Sequence, residues 1–169
     1  DKRNFTDAAL DRVAVRLRPT VELAESHGVK IAIEAYLKGA VGSPEAFTAL
    51  KERLPSDALR CNVDPTSLYG FRELVDPDPF VEKVCTMLTG HYGIVHVKEL
   101  GLTESVHIHA GLLPLWEGTT DWKRFFEWIA PRLPDDSWVV YEHVSEPDEG
   151  RKGVTMLRQF ADELGLKLD

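Results

Sequence analysis

Residues 59–97 read LRCNVDPTSLYGFRELVDPDPFVEKVCTMLTGHYGIVHV, and their pattern decides the fold. Residues 59–64 (LRCNVD) form a short apolar run that ends on an acid, and residues 93–97 (GIVHV) form a second run, rich in β-branched side chains. Between them, Asp78-Pro79 opens a helix-like segment that runs to Leu88 and is stopped by Gly90. Strand, helix and strand within one such unit predict two parallel strands joined by a crossover.

The same unit recurs on both sides. Upstream, residues 29–34 (VKIAIE) read as a strand, and Ser43-Pro44-Glu45 opens a helix with the serine as cap and the proline in the first turn. Further back, Thr6 or Asp7 can cap a helix that runs toward His27 and stops at Gly28. Pro19 lies inside that helix and predicts a kink or a division. Downstream, residues 98–120 form a longer, less regular stretch. Thr120-Asp121-Trp122 starts a helix reaching Arg132 or Leu133, residues 137–142 (SWVVYE) give a fourth strand, and residues 151–164 a last helix. One helix followed by four βα units predicts an α/β fold whose parallel sheet is buried on both faces. We read residues 1–169 as a single partial domain of the TIM-barrel type, since a full barrel has eight strands.

Composition narrows the function classes. Apolar residues make up 43% and charged residues 28%, the balance of a soluble globular domain. No apolar run approaches the ~20 residues that span a bilayer, so no membrane partner is expected. No basic-then-apolar leader opens the chain, and a start at Asp1 rather than Met suggests a processed or truncated terminus. The formal charge of −8 repels phosphate backbones and speaks against nucleic acid; it suits a protein that holds a cation among carboxylates, and equally simple solubility. Cys61 and Cys85 make no disulfide framework and read as buried reduced thiols, which places the protein in the cytoplasm.

Each strand presents a metal-competent side chain near its C-terminal end: Glu34, Asp64, His96 and Glu142. They lie 30, 32 and 46 residues apart, the last interval carrying the extra loop. An acid closing a buried run is costly unless it is paired, hydrogen-bonded or bound to metal. One such acid could simply meet an arginine; four in consecutive units converge on the same mouth of a parallel barrel. Three carboxylates and an imidazole suit Mn²⁺, Mg²⁺ or Co²⁺, and Zn²⁺ less well.

The run GVKIAIE, NVDP, HVKE, PLWEGTTDW and VVYEH resembles the xylose-isomerase-like barrel superfamily, in its sugar-phosphate isomerase/epimerase branch of ketose 3-epimerases, inosose dehydratases and hydroxypyruvate isomerases. The resemblance extends from Asp7 to about Leu164, and the four strands match the second half of that barrel. It implies that Glu34, Asp64, His96 and Glu142 hold one divalent cation, with Mn²⁺ foremost, and that Glu34 and Glu142 are the catalytic acid/base pair. The implied reaction is isomerisation or epimerisation of a small sugar or polyol, by proton abstraction next to a carbonyl through a metal-stabilised enediolate. An inosose dehydratase-like lyase, an endonuclease-like hydrolase and a non-catalytic carbohydrate-binding half barrel are the competing readings; the charge disfavours the hydrolase. The other four strands would come from a longer chain or from a second copy.

The chain departs from the epimerase pattern in two places. Ser67 stands where those enzymes place a substrate-binding histidine, and Leu102 where they place an arginine. Ser67, Lys98, His109 and Trp116 are the candidate substrate contacts, and Arg151 could meet an anionic group. Each also has a plainer reading, Lys98 and Arg151 as ion-paired residues and Trp116 as packing. His107 and His109 form a His-x-His pair that could serve a second metal or only line the mouth. His143 should face away from Glu142 if the strand continues, Asp121 should sit near a helix cap, and Glu99 is either a hydrogen-bond partner of the site or exposed.

Overall fold

A computed structural model describes residues 1–107 and 109–166. Helix α1 (Asp7–Ser26) is capped by Thr6, whose Oγ1 accepts from the Ala9 amide at 3.3 Å. It then runs without interruption through Pro19, so of the expected kink or division the division does not occur. The proline removes one backbone donor, but Pro19 and Val15, whose carbonyl loses its partner, are both on the exposed face where water can reach.

Strand β1 (Ile31–Glu34), helix α2 (Pro44–Arg53), strand β2 (Leu59–Val63), helix α3 (Asp78–Met87) and strand β3 (Tyr92–Val97) follow in the expected order. Ser43 caps α2 by accepting from the Ala46 amide at 3.1 Å, with Pro44 in the first turn. The stretch read as irregular contains an antiparallel hairpin, β4 (Glu99–Leu102) and β5 (Ala110–Leu113), in which Gly101 pairs with Gly111. Helix α4 (Trp122–Ile129), strand β6 (Trp138–Tyr141) and helix α5 (Pro147–Glu163) complete the chain. Helix α5 begins four residues earlier than expected, because Pro147 and the acids Asp148 and Glu149 make a favourable first turn.

The main sheet has the order β1-β2-β3-β6, every pair parallel. Successive helices pack on one another along its outer side. Leu59, Cys61 and Val63 of β2 and Val95 and Val97 of β3 are fully buried against Phe47, Leu50, Val81, Val84, Phe125, Phe126 and Ile129. Because side chains alternate along a strand, this outward core turns residues 60, 62 and 64, and 94, 96 and 98, to the opposite, inner face. Both cysteines are free and buried. Among the described residues no helix is long and apolar enough to cross a membrane.

Candidate metal centre

The inner face at the C-terminal ends of the strands gathers Glu34, Asp64, His96 and Glu142. Each offers one donor atom, and these atoms lie within 4.8 Å of one another. β1 and β2 end on Glu34 and just before Asp64, His96 is the fifth residue of β3, and Glu142 follows β6 directly. The Glu142 amide donates to Val97 O at 3.1 Å, which prolongs the β3–β6 ladder by one residue and fixes the start of its side chain.

Asp64 anchors the group. Its side chain is 0% exposed and accepts from Thr66 Oγ1 at 2.8 Å, from the Ser67 amide at 3.1 Å and from Ser67 Oγ at 2.9 Å. Ser67 Oγ also lies 3.1 Å from Glu34 Oε1, so one hydroxyl touches two carboxylates contributed by different strands. His96 Nδ1 sits 3.2 Å from Glu142 Oε2 and 3.9 Å from Asp64 Oδ2, yet makes no hydrogen bond. A buried ring nitrogen facing carboxylates without a hydrogen-bond partner leaves a donor atom open to another ligand.

Lys98 reaches into the same cluster. Its Nζ donates to Asp64 Oδ2 at 2.5 Å and to Glu142 Oε1, and lies 3.7 Å from Glu34 Oε1. Burial works against its charge, but the hydrogen bonds and attraction of Asp64 and Glu142 outweigh that and raise its pKa above the ordinary lysine value. The ammonium stands among these carboxylates in a position that suits a cation. Three carboxylates and one ammonium leave a net negative cluster that is still short of positive charge. Donors on opposite sides of a small divalent cation stand about 4.2 Å apart, so the widest separation here needs to close by only about half an ångström. The residues present fit a divalent metal.

The other expected contacts are spread out. Trp116 is partly buried against the core, and Lys152 Nζ sits 3.5 Å from its ring centroid, over one face. His109 Nδ1 bonds Thr103 Oγ1 at 2.8 Å at the exposed end of the hairpin, and His107 is exposed nearby. Among the described residues neither histidine joins a metal-competent group. Arg151 pairs with Asp148 on the surface, and Asp121 caps α4, accepting from the Arg124 amide at 2.9 Å. Glu99 is only 1% exposed, bonded to Thr120 and Trp122 rather than to the cluster, and burial pushes its carboxyl up to about 7 against the pull of those hydrogen bonds.

Two features lay beyond the sequence reading. The central place of Lys98 had a signal: it stands two residues after His96, on the same face of an extended segment. His143 had none. The strand stops at Tyr141, His143 adopts φ +57°, and its Nε2 turns back to 3.7 Å from Glu142 Oε1 instead of facing away. Left-handed backbone at a residue other than glycine is uncommon and gathers at functional sites.

The sequence profile of the xylose isomerase-like TIM barrel family matches residues 1–160. The chain belongs to that family. Solved structures of xylose isomerase-like and related barrels agree with this at the level of fold. A xylose isomerase-like TIM barrel protein from Mycobacterium smegmatis, solved in complex with magnesium, superposes with a TM-score of 0.70 at 18% identity, over 92% of this chain and 51% of that one. A probable 3-DHS dehydratase from Bacillus anthracis gives 0.69 at 14% identity, over 91% and 58%. A D-tagatose 3-epimerase-like protein gives 0.68 at 20% identity, over 92% and 55%. The chain therefore spans about half the length of these structural relatives. No curated protein sequence matches it.

Proposed function

We propose that the chain carries the metal centre of a divalent-metal-dependent sugar isomerase or epimerase, acting by proton transfer at a carbon next to a carbonyl. The observation that carries this reading is the convergence of Glu34, Asp64, His96 and Glu142 from four parallel strands onto one point. Those four side chains would hold the ion, Mn²⁺ suiting the mixed oxygen and nitrogen donors best, with Mg²⁺, Co²⁺ or Zn²⁺ as alternatives. When bound, the ion would act as a Lewis acid toward a carbonyl and its neighbouring hydroxyl.

The chain's own residues divide the remaining work. The Glu34 side chain is 45% exposed, the most open of the three carboxylates, and would take the proton alpha to the carbonyl. Glu142, on the far strand, would return a proton to the opposite face. Ser67 would orient Glu34 through its hydroxyl. Lys98 would leave the carboxylates for an anionic or hydroxyl oxygen of a sugar or polyol, with His109 and Trp116 as rim contacts. Two unpaired thiols support a reducing, cytoplasmic setting. The strands that complete an eight-stranded barrel would come from a further segment or a second copy.

Lys98 favours a second reading. An ammonium beside an acid/base carboxylate could protonate a departing hydroxyl, which is dehydration rather than epimerisation, and one structural relative is a probable dehydratase. Incubating Mn²⁺-loaded chain with a panel of ketoses and inososes in D₂O separates these outcomes by NMR. Deuterium entering next to the carbonyl without loss of water supports the isomerase; an unsaturated product supports the dehydratase. Neither, in a chain that holds its metal, refutes both.

A further inference from the structure

Glu99 is a buried acid whose partners among the described residues are neutral donors. Its Oε2 accepts from Trp122 Nε1 at 2.8 Å, and its Oε1 from Thr120 Oγ1 at 3.0 Å and from the Leu100 amide at 3.2 Å. Burying a carboxylate without a countercharge is costly, and an apolar residue would fill the space more cheaply. The carboxylate therefore calls for a role beyond packing.

The hydrogen bonds indicate that role, because they have a direction. The ionised form of Glu99 only accepts, and in it Thr120 Oγ1 donates to Glu99 Oε1. Thr120 Oγ1 is then an acceptor toward Tyr69 OH, 3.0 Å away. Tyr69 closes the one-turn helix Thr66–Leu68, its amide donating to Thr66 O. That turn carries the Thr66 hydroxyl and the Ser67 amide and hydroxyl, three groups that donate to Asp64 besides Lys98, and the Ser67 hydroxyl also meets Glu34. From the other side, the loop at Gly118 passes so close that an added Cβ would lie 2.1 Å from Glu99 Cδ. Glu99 itself follows Lys98 in the chain.

We infer that Glu99 is a positioning residue of the metal centre, bracing the 114–122 loop and, through Thr120 and Tyr69, the 66–69 turn that aims Asp64 and Glu34. This rests on the metal-centre reading above. Mere filling of the core would lower stability and metal affinity together; a brace acts on the turn and on the metal through a chain of hydroxyls that single-atom changes can cut.

The test combines hydrogen exchange by mass spectrometry with Mn²⁺ titration calorimetry on the wild-type chain, Glu99→Gln, Thr120→Val and Tyr69→Phe. Glu99→Gln should speed amide exchange about tenfold in residues 66–70 as well as in 114–122, and weaken Mn²⁺ about tenfold, the scale of losing an outer hydrogen-bond partner. Tyr69→Phe, which removes one oxygen, should reproduce the effects on residues 66–70 and on Mn²⁺ while leaving 114–122 protected. Thr120→Val combined with Glu99→Gln should bind Mn²⁺ no more weakly than Glu99→Gln alone. Unchanged exchange at 66–70 in Glu99→Gln overturns the brace whether or not metal binds. Faster exchange with unchanged Mn²⁺ affinity overturns the positioning role. A wild type that takes up no Mn²⁺ refutes the metal-centre reading instead, and the brace is then judged by exchange at 66–70.

Discussion

Replacing Lys98 by methionine should tighten divalent-cation binding and loosen the metal-free fold. The ammonium donates to Asp64 at 2.5 Å and to Glu142, and an incoming cation must displace it from both. A hydrogen bond to a charged group contributes roughly 1.5–3 kcal/mol net. Solvation of the released ammonium returns part of the two bonds, leaving a net displacement cost of about 1.5–3 kcal/mol, or about 10- to 100-fold in affinity. Methionine keeps the length of the stem without the charge, so the variant should gain that factor. Without metal it leaves three carboxylates facing one another, and breaking a buried pair costs about 3–5 kcal/mol. At roughly 2–4 °C per kcal/mol for a chain of this size, melting should fall by about 6–20 °C in chelator and recover in saturating Mn²⁺. Calorimetry and paired thermal melts read both effects. An affinity equal to or weaker than wild type would refute the claim that Lys98 competes for the cation position.

Three further outcomes follow from the same geometry. Phe47→Ala empties a fully buried site and should cost about 3–5 kcal/mol, read as a lower urea midpoint with an unchanged slope; a loss under 1 kcal/mol would contradict the packing. Burial pushes the Cys85 thiol up to about 12, so a thiol reagent at pH 8 should leave it unmodified until denaturant is added, and prompt labelling of the native chain would disprove its burial. Burial raises Glu99 to about 7 in the folded chain from 4.5 unfolded, so its contribution to stability is complete below about pH 4.5 and is lost as pH rises through 7. The wild type should thus lose up to about 3 kcal/mol relative to Glu99→Gln between pH 4.5 and 8, and a constant difference would exclude the shift.

The parts of the molecule that repeat simple physics were legible in the sequence. Apolar runs closed by Glu34, Asp64, His96 and Glu142 announced parallel strands and their shared mouth, because period-2 alternation and burial leave such acids few alternatives. Ser43-Pro44 and Gly28 announced helix ends for equally local reasons. The hairpin of β4 and β5 escaped because Gly101 and Gly111 face each other at its centre and carry no strand preference. Pro19 was read as a kink or a division, and the division does not occur, since breaking a helix depends on whether the freed carbonyl can reach water, which is a tertiary property. Lys98 was signalled by its place two residues after His96, on the same face of an extended segment. The backward turn of His143 depends on a left-handed backbone and the Glu99–Thr120–Tyr69 connection on residues from separate loops, so only the folded distances reveal these two.

Metal stoichiometry on purified chain, loaded identically with Mn²⁺ as wild type, Glu142→Gln and His96→Ala, tests the central claim most directly. Convergence of four donors within 4.8 Å predicts about one tightly held ion per chain, lost or markedly weakened in both variants. A wild type that holds no specific ion, or variants that hold it as tightly as wild type, would contradict the four-donor centre.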